Sequence, residues 1–474
     1  MDNARLNHSL ANLDRDSLLH PVSSVADVMA NGPSIYKSAR GATVTNADGE
    51  ELIDLGAGLW CVNVGYGRKE LADAASQSML DLSYQHFFGG ASAEPTIRLA
   101  DRLLTLFREQ SGARHMARVF FGTSGSDAND TAFKLVRYYH NIIGKPQKKK
   151  IISRIGAYHG VTYASGSLTG IASYHKAFDQ PIDGVLHTSC PHYYGFGQVD
   201  ETEESFTDRM ITDLERLIEA EGPETIAAFI AEPVMGTGGV FAPPVGYFEK
   251  VQKLLDRYEI LLILDEVITG FGRLGQWFGT GAFNLKPDIV SLAKGLTSAY
   301  FPMSASVISN RIWSALEDAS LREGTFMHGF TYSGHPVGSA VAMANLDVIE
   351  RDGLVELAAK NGPYLLEGLM ARLGDNPFIG DIRGIGMMAA VEYVADRSSK
   401  RPFPVGTAPH RVIAKRATEL GVLTRGLPFL PVNSFSPPLS ITRDEIDKGL
   451  DRFAKAVEQS MTELSAMMDQ NSPI

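Results

Sequence analysis

A chain of 474 residues, 44% hydrophobic and 21% charged, has the make-up of a folded globular protein and is longer than the roughly 250 to 300 residues one core supports, so two domains are expected. With 44 Lys and Arg against 55 Asp and Glu, the net charge of -11 repels phosphate backbones and anionic lipid, which argues against nucleic acid or a membrane surface as partner. Cys61 and Cys190 are too few for a disulfide framework or a zinc site and fit a reducing compartment.

The segment Met1–Leu19 carries Asp2, Asp14 and Asp16 and no apolar targeting run. No stretch of about 18 apolar residues occurs, so a cytoplasmic location is expected. From Gly41 to Asp54 apolar and polar residues alternate around Asp48-Gly49, which predicts a hairpin in a smaller domain because glycine accepts the positive φ of a tight turn. Short apolar runs follow at Arg118–Phe121, Ile151–Ser153, Ile226–Ala231, Ile260–Leu264 and Asp288–Leu292, separated by segments long enough for helices. Runs such as Leu261-Leu262-Ile263-Leu264 are continuous rather than alternating. That is the mark of strands buried on both faces, and it predicts an α/β fold with a mostly parallel sheet.

Between a predicted helix and a predicted strand, Lys145–Lys150 reads as a solvated turn. His335–Met370 reads as largely helical, and Gly384–Val394, Gly421–Arg425 and Pro437–Ile441 as a small sheet. The expected division is residues 1–65 and 336–474 for the two parts of a small domain, with 66–335 as the large one.

Ligands of open α/β sheets bind beyond the carboxyl ends of the strands, which directs attention to the residues after each apolar run: Gly122–Ser126, Tyr158–Gly160, Glu232, Asp265 and Lys294. Gly-Thr-Ser-Gly-Ser leads into a helix starting near Asp127, and the free N–H groups there suit a phosphate; an ordinary helix cap is the plainer reading. Asp265 beside an apolar strand needs a partner to stay charged, and a protonated ring nitrogen would be one; a capping or salt-bridged aspartate is the plainer reading. A lysine emerging at a strand end before Gly295 can act as a covalent amine, although taken alone such a lysine is usually a surface residue.

Together, Leu264-Asp-Glu-Val-Ile-Thr-Gly-Phe-Gly-Arg273, Ser291-Leu-Ala-Lys-Gly295 and Gly122-Thr-Ser-Gly-Ser-Asp-Ala-Asn129 resemble the class III aminotransferases, the ω-transaminase branch of the fold type I pyridoxal 5'-phosphate (PLP) enzymes. The resemblance runs from about Gly41 to Thr442. It implies a large domain with a mostly parallel seven-stranded sheet plus a smaller α+β domain. It also implies that Lys294 joins PLP as a Schiff base and that Asp265 pairs with the pyridine nitrogen. Ser124, Gly125 and Ser126 would take the phosphate, Tyr158 would stack on the ring with His159 structural beside it, and Glu232 and Val267 would support the cofactor. Thr331, in His328-Gly-Phe-Thr-Tyr-Ser-Gly-His-Pro336, would reach the phosphate of a partner subunit, which makes a homodimer; whether dimers pair into tetramers stays open.

Trp60 in Gly58-Leu-Trp60, and Phe88 beside Phe87, resemble with Tyr158 the aromatic wall of amine:pyruvate and β-alanine:pyruvate transaminases. Arg425 aligns with the mobile arginine that binds a keto acid carboxylate, a surface arginine being the plainer alternative. Asp127 stands where many relatives have glutamate, and Gly426–Ser436 fits no specificity class. The implied reaction is ping-pong transfer of an amino group from a primary amine or ω-amino acid donor to pyruvate or a related keto acid acceptor, with no metal. An aminomutase or a decarboxylase on the same fold would use the same motif residues. A catalytically silent PLP-binding protein is the third reading, which the paired Asp265 and Lys294 oppose.

Overall fold

The computed structural model describes residues 3–404 and 406–470; Asp2 of the acidic N-terminal segment lies outside them. Three strands open the fold: β1 (Tyr36–Arg40), β2 (Thr43–Asn46) and β3 (Glu51–Asp54). The expected hairpin forms, with Thr43 opposite Ile53 and Thr45 opposite Glu51. Gly49 takes its turn with φ at 89°, and the Asn46 side chain accepts from the Asp48 and Glu50 N–H groups at 3.1 and 2.9 Å.

The central sheet is built from β4 (Met116–Gly122), β5 (Lys150–Arg154), β6 (Val185–Thr188), β7 (Ile226–Ala231), β8 (Leu261–Asp265), β9 (Ile289–Leu292) and β10 (Ser304–Ser309). Its order is β4-β10-β9-β8-β7-β5-β6. The run from β6 to β9 is parallel, and β10 is antiparallel to both its neighbours. All five apolar runs became strands; β7, β8 and β9 are buried throughout, as their continuity implied, whereas β4 leaves Arg118 exposed. Leu262 and Leu264 face one core with Phe107 and Phe229; Leu261 and Ile263 face the other with Val136 and Ala132 of the helix Gly125–Ile142. Sequence reading missed β6 and β10. In β10 serine alternates with apolar residues although every position is buried, and the Ser306 hydroxyl is accommodated by donating to the Ala128 carbonyl at 3.2 Å.

Towards the C-terminus come β11 (Ile379–Ile385), β12 (Met388–Tyr393), β13 (Val422–Leu423), β14 (Arg425–Gly426) and β15 (Val432–Phe435). The expected small sheet needs two corrections. Pro437–Ile441 is not a strand; the strand is β15, inside the segment Gly426–Ser436, and it pairs with β12 and β14. Pro437 and Pro438 cannot donate to a ladder, which ends the strand before them. Gly421–Arg425 is divided: β13 runs parallel to β3 in the N-terminal sheet, while β14 belongs to the C-terminal one. The helical stretch after His335 is two helices, Pro336–Arg351 and Leu354–Leu373, broken at Gly353 with φ at 57°.

A third correction concerns Lys145–Lys150. Lys148 is buried, and its ammonium donates to the carbonyls of Ile226, Tyr258 and Glu259 at 2.9, 3.1 and 3.1 Å. These carbonyls lie near the amino-terminal ends of β7 and β8, where buried acceptors require a donor. Among the described residues no helix is long and apolar enough to cross a membrane.

Candidate active site

Three strand ends, those of β7, β8 and β9, deliver Glu232, Asp265 and Lys294. Facing them is the start of the helix Gly125–Ile142, capped by Ser124, whose hydroxyl accepts from the Asp127 N–H at 3.2 Å. Asp127 returns the arrangement by accepting from the Thr123 N–H at 3.0 Å. A side chain on Gly125 would press within 3.1 Å of the Val267 methyl, and one on Gly160, with φ at 131°, would collide with the Ser126 and Ser165 hydroxyls. Small residues therefore bring two backbones close to a helix N-terminus that favours an anion.

Gly125, Ser126, Tyr158, Glu232, Asp265, Val267 and Lys294 share one cavity of about 130 Å³, together with Asn129, His159, Gly160 and Ile268. Asn129 and Ile268 were given no role in the sequence reading, whereas Gly160 closes the segment Tyr158–Gly160 noted there. Asn129 carried a usable signal, since it is a polar residue on the helix face that buries Ala128 and Ala132.

Asp265 is fully enclosed. One oxygen accepts from the Asn129 amide and the His159 Nδ1, both at 2.8 Å, and the other from the Val267 N–H at 3.1 Å. Burial pushes its carboxyl up, but the hydrogen bond and charge of His159, with the bonds from Asn129 and Val267, outweigh that and hold it below the usual carboxylate range. Glu232 is different: burial dominates and raises it, while its oxygens accept from the Tyr158 N–H at 3.1 Å and the Gly236 N–H at 2.8 Å. That carboxyl fixes the loop bearing Tyr158.

Burial lowers the Lys294 amine below the ordinary lysine range, against the opposing pull of Cys61 and Asp265. Its backbone is left-handed, φ 46°, a conformation costing a side-chain-bearing residue about 1–3 kcal/mol. Asn345 holds the turn by donating to the carbonyls of Gly295 and Leu296 at 2.8 and 3.0 Å.

The other expected residues lie off this wall. Ser124 spends its hydroxyl on the helix cap. Trp60 is buried with its ring 4.7 Å from the Arg425 guanidinium carbon, and burial lowers Arg425 against the pull of Tyr174 and Tyr158. Thr331 is exposed, its carbonyl accepting from the Tyr84 hydroxyl at 2.8 Å. Phe88 is 54% exposed and abuts Gly329.

The donor set fits pyridoxal phosphate: an amine shifted toward its neutral form, a carboxylate held ionised and a glycine-lined helix N-terminus for a dianion meet on one cavity. Comparison with known proteins points the same way. The sequence model of the aminotransferase class-III family matches residues 25–457. A diaminobutyrate–2-oxoglutarate transaminase of Halomonas elongata is 44% identical over 455 residues, covering 95% of this chain and 96% of that protein. A gamma aminobutyrate transaminase 3, chloroplastic, of Solanum lycopersicum is 43% identical over 440 residues, covering 92% and 83%. The crystal structure of an ω-transaminase from Pseudomonas jessenii in complex with PMP is similar with a TM-score of 0.92 at 44% identity, over 96% of this chain and 99% of that one.

Proposed function

The chain belongs to the class III aminotransferases, PLP enzymes of fold type I, and on that premise we propose that it transfers an amino group from a primary amine or ω-amino acid to pyruvate or a related keto acid by a ping-pong mechanism. One arrangement carries the reading: the Lys294 amine and the ionised Asp265 carboxylate line a single cavity beside a helix start suited to phosphate. When bound, the cofactor supplies an electrophilic aldehyde and an electron sink for the charge left on the substrate carbon.

The protein's residues do the rest. The Lys294 Nζ, tilted by burial toward its neutral form, would take the proton from the amine-bearing carbon of the donor and, in the second half-reaction, deliver one to the keto carbon of the acceptor. Asp265, kept charged by His159, Asn129 and the Val267 N–H, holds the proton of the ring nitrogen. Ser124, Gly125, Ser126 and, from the partner of a homodimer, Thr331 receive the phosphate. Tyr158 and Val267 cover the ring faces, and Glu232 braces Tyr158 through its N–H. Trp60, Phe88 and Tyr158 form the apolar wall for the donor, and Arg425 meets the acceptor carboxylate.

Exposed Tyr84, Phe88, Met327 and Tyr332 support a dimer face next to Thr331. We keep the division at 65/66 and 335/336, supported by the confinement of the central sheet to residues 116–309, and a cytoplasmic location from composition. Both named relatives carry in their names an amino acid aminated beyond its α-carbon, which favours ω-amino acid donors; 2-oxoglutarate, named with one of them, is the second candidate acceptor.

The test follows the visible band of the holoenzyme with β-alanine, putrescine, γ-aminobutyrate and an arylalkylamine, then adds pyruvate or 2-oxoglutarate. A productive donor is expected to bleach the band and pyruvate to restore it. Restoration by 2-oxoglutarate alone would reassign the acceptor. Lys294→Ala is expected to bind the cofactor without a borohydride-trappable bond and to lose turnover; retained turnover would put the catalytic amine elsewhere.

A further inference from the structure

Asp54 lines no part of the cofactor cavity, yet it controls the segment that carries Trp60. It ends β3, is 3% exposed and accepts three hydrogen bonds. Oδ1 takes the Gly56 N–H at 2.9 Å, and Oδ2 takes the Gly58 N–H and the Tyr66 hydroxyl, both at 2.7 Å. Around these anchors the backbone turns left-handed three times, with φ 44° at Ala57, 64° at Gly58 and 57° at Trp60. Alanine and tryptophan avoid that region, so the path persists only where its surroundings impose it. The Asp54 carboxylate is the group that does so, through two backbone N–H groups of the turn.

The same residue is tied to the strand of Arg425. Asp54 stands opposite Leu423 in the parallel pair of β3 and β13, and the next N–H, that of Leu55, donates to the Leu423 carbonyl at 3.0 Å. Two positions after Leu423 comes Arg425, over the Trp60 ring. Asp54 thus sits where the two segments forming that stack meet. An adjoining cavity of about 580 Å³, lined in part by Asp54, Gly58, Tyr66, Thr424 and Arg425, gives the guanidinium room to leave the ring.

We propose that Asp54, locked by Tyr66, is a positioning residue for acceptor choice: it sets the plane of Trp60 and thereby the balance between Arg425 resting on the indole and Arg425 turned to a carboxylate. This rests on the reading of Arg425 as the group that meets the acceptor carboxylate. The cation–indole attraction depends on where the guanidinium lies over the ring, so tilting the ring changes the resting state without touching the reacting atoms.

The test compares KM for pyruvate with KM for an uncharged aldehyde acceptor in holoenzyme. Tyr66→Phe removes one of the three bonds and keeps the fold's other anchors; Asp54→Asn sets an amide donor against backbone N–H groups. The ratio of the two KM values is expected to move about three- to tenfold in Tyr66→Phe, the scale of one ordinary hydrogen bond, and further in Asp54→Asn. Tryptophan emission of the cofactor-free chain should change with Tyr66→Phe, and that change should vanish in a Trp60→Phe background. A role confined to stability would lower Tm and slow both acceptors together, leaving ratio and emission as in the wild type. Ratios within about twofold of wild type in both variants, while Arg425→Gln moves the ratio, overturn the proposal. A ratio unmoved by Arg425→Gln removes the Arg425 reading instead, and the proposal with it.

Discussion

The amide of Asn129 joins two groups that sequence reading had treated separately, donating to the Asp265 carboxylate at 2.8 Å and to the His159 carbonyl at 2.7 Å. Its neighbour His159 donates to the same Asp265 oxygen, so a carboxylate enclosed in protein stays ionised because its acceptors are filled. Asn129→Leu is therefore expected to lower kcat about ten- to a hundredfold with little change in donor KM, the usual cost of deleting a residue that orients a functional group. Asp265 is now held below the usual range; deleting one donor raises it, so the acid limb of the pH–rate profile should move toward neutral. An unmoved limb would mean that His159 and the Val267 N–H suffice. Lys294 and Asp265 drew attention because they lie at the carboxyl ends of the apolar runs of β9 and β8, and the family resemblance then supplied their expected roles. The Asn129 contacts could not be read, since they span 30 and 136 residues of chain.

At the scale of the elements, burial of a whole strand was legible and the fate of mixed segments was not. β7 and β8 bury every residue and announced it by continuous apolar runs. The serines of β10 hide the same burial: Ser306 is accommodated because its hydroxyl finds the Ala128 carbonyl. The basic run shows the converse, a charge whose place is decided by acceptors it meets only in the fold. Lys148, lowered chiefly by burial, supplies hydrogen bonds to four carbonyls from two chain segments, those of Pro223, Ile226, Tyr258 and Glu259. Lys148→Met keeps much of the volume and removes those donors, so it should destabilise the protein by about 2–4 kcal/mol, the range for stripping buried acceptors of a charged partner. The urea midpoint checks this, and an unchanged midpoint would mean that solvent reaches those carbonyls.

At the scale of the molecule, four histidines among the described residues, His140, His187, His328 and His410, are pushed down to about 4 by burial. Each binds its proton more readily in the unfolded chain, near 6.5, than in the folded one. Stability is thus full above about pH 6.5 and falls as the pH drops toward 4, because the unfolded state takes up protons that the native state refuses. His140, 1% exposed, contributes a slope of at most about 1.4 kcal/mol per pH unit. Its Nε2 meets the Ala227 carbonyl at 3.1 Å, a bond that a glutamine can make without titrating. His140→Gln is therefore expected to flatten the fall in urea midpoint between pH 7 and pH 5, and an equally steep fall would assign the acid sensitivity to the other titrating groups, His192 and His335 among them.

Local apolar patterning in the sequence carried the α/β class and most of the parallel core strands and drew attention to Asp265 and Lys294 at the strand ends, while the roles expected of those two residues came from the family resemblance. Tertiary structure alone decided which polar groups meet: Asn129 with Asp265, Lys148 with its carbonyls, Asp54 with the turn under Trp60, and the parting of Leu423 and Arg425 into two sheets. Hydrogen-bond partners are chosen by proximity in space, and a linear pattern contains no distances between residues far apart along the chain.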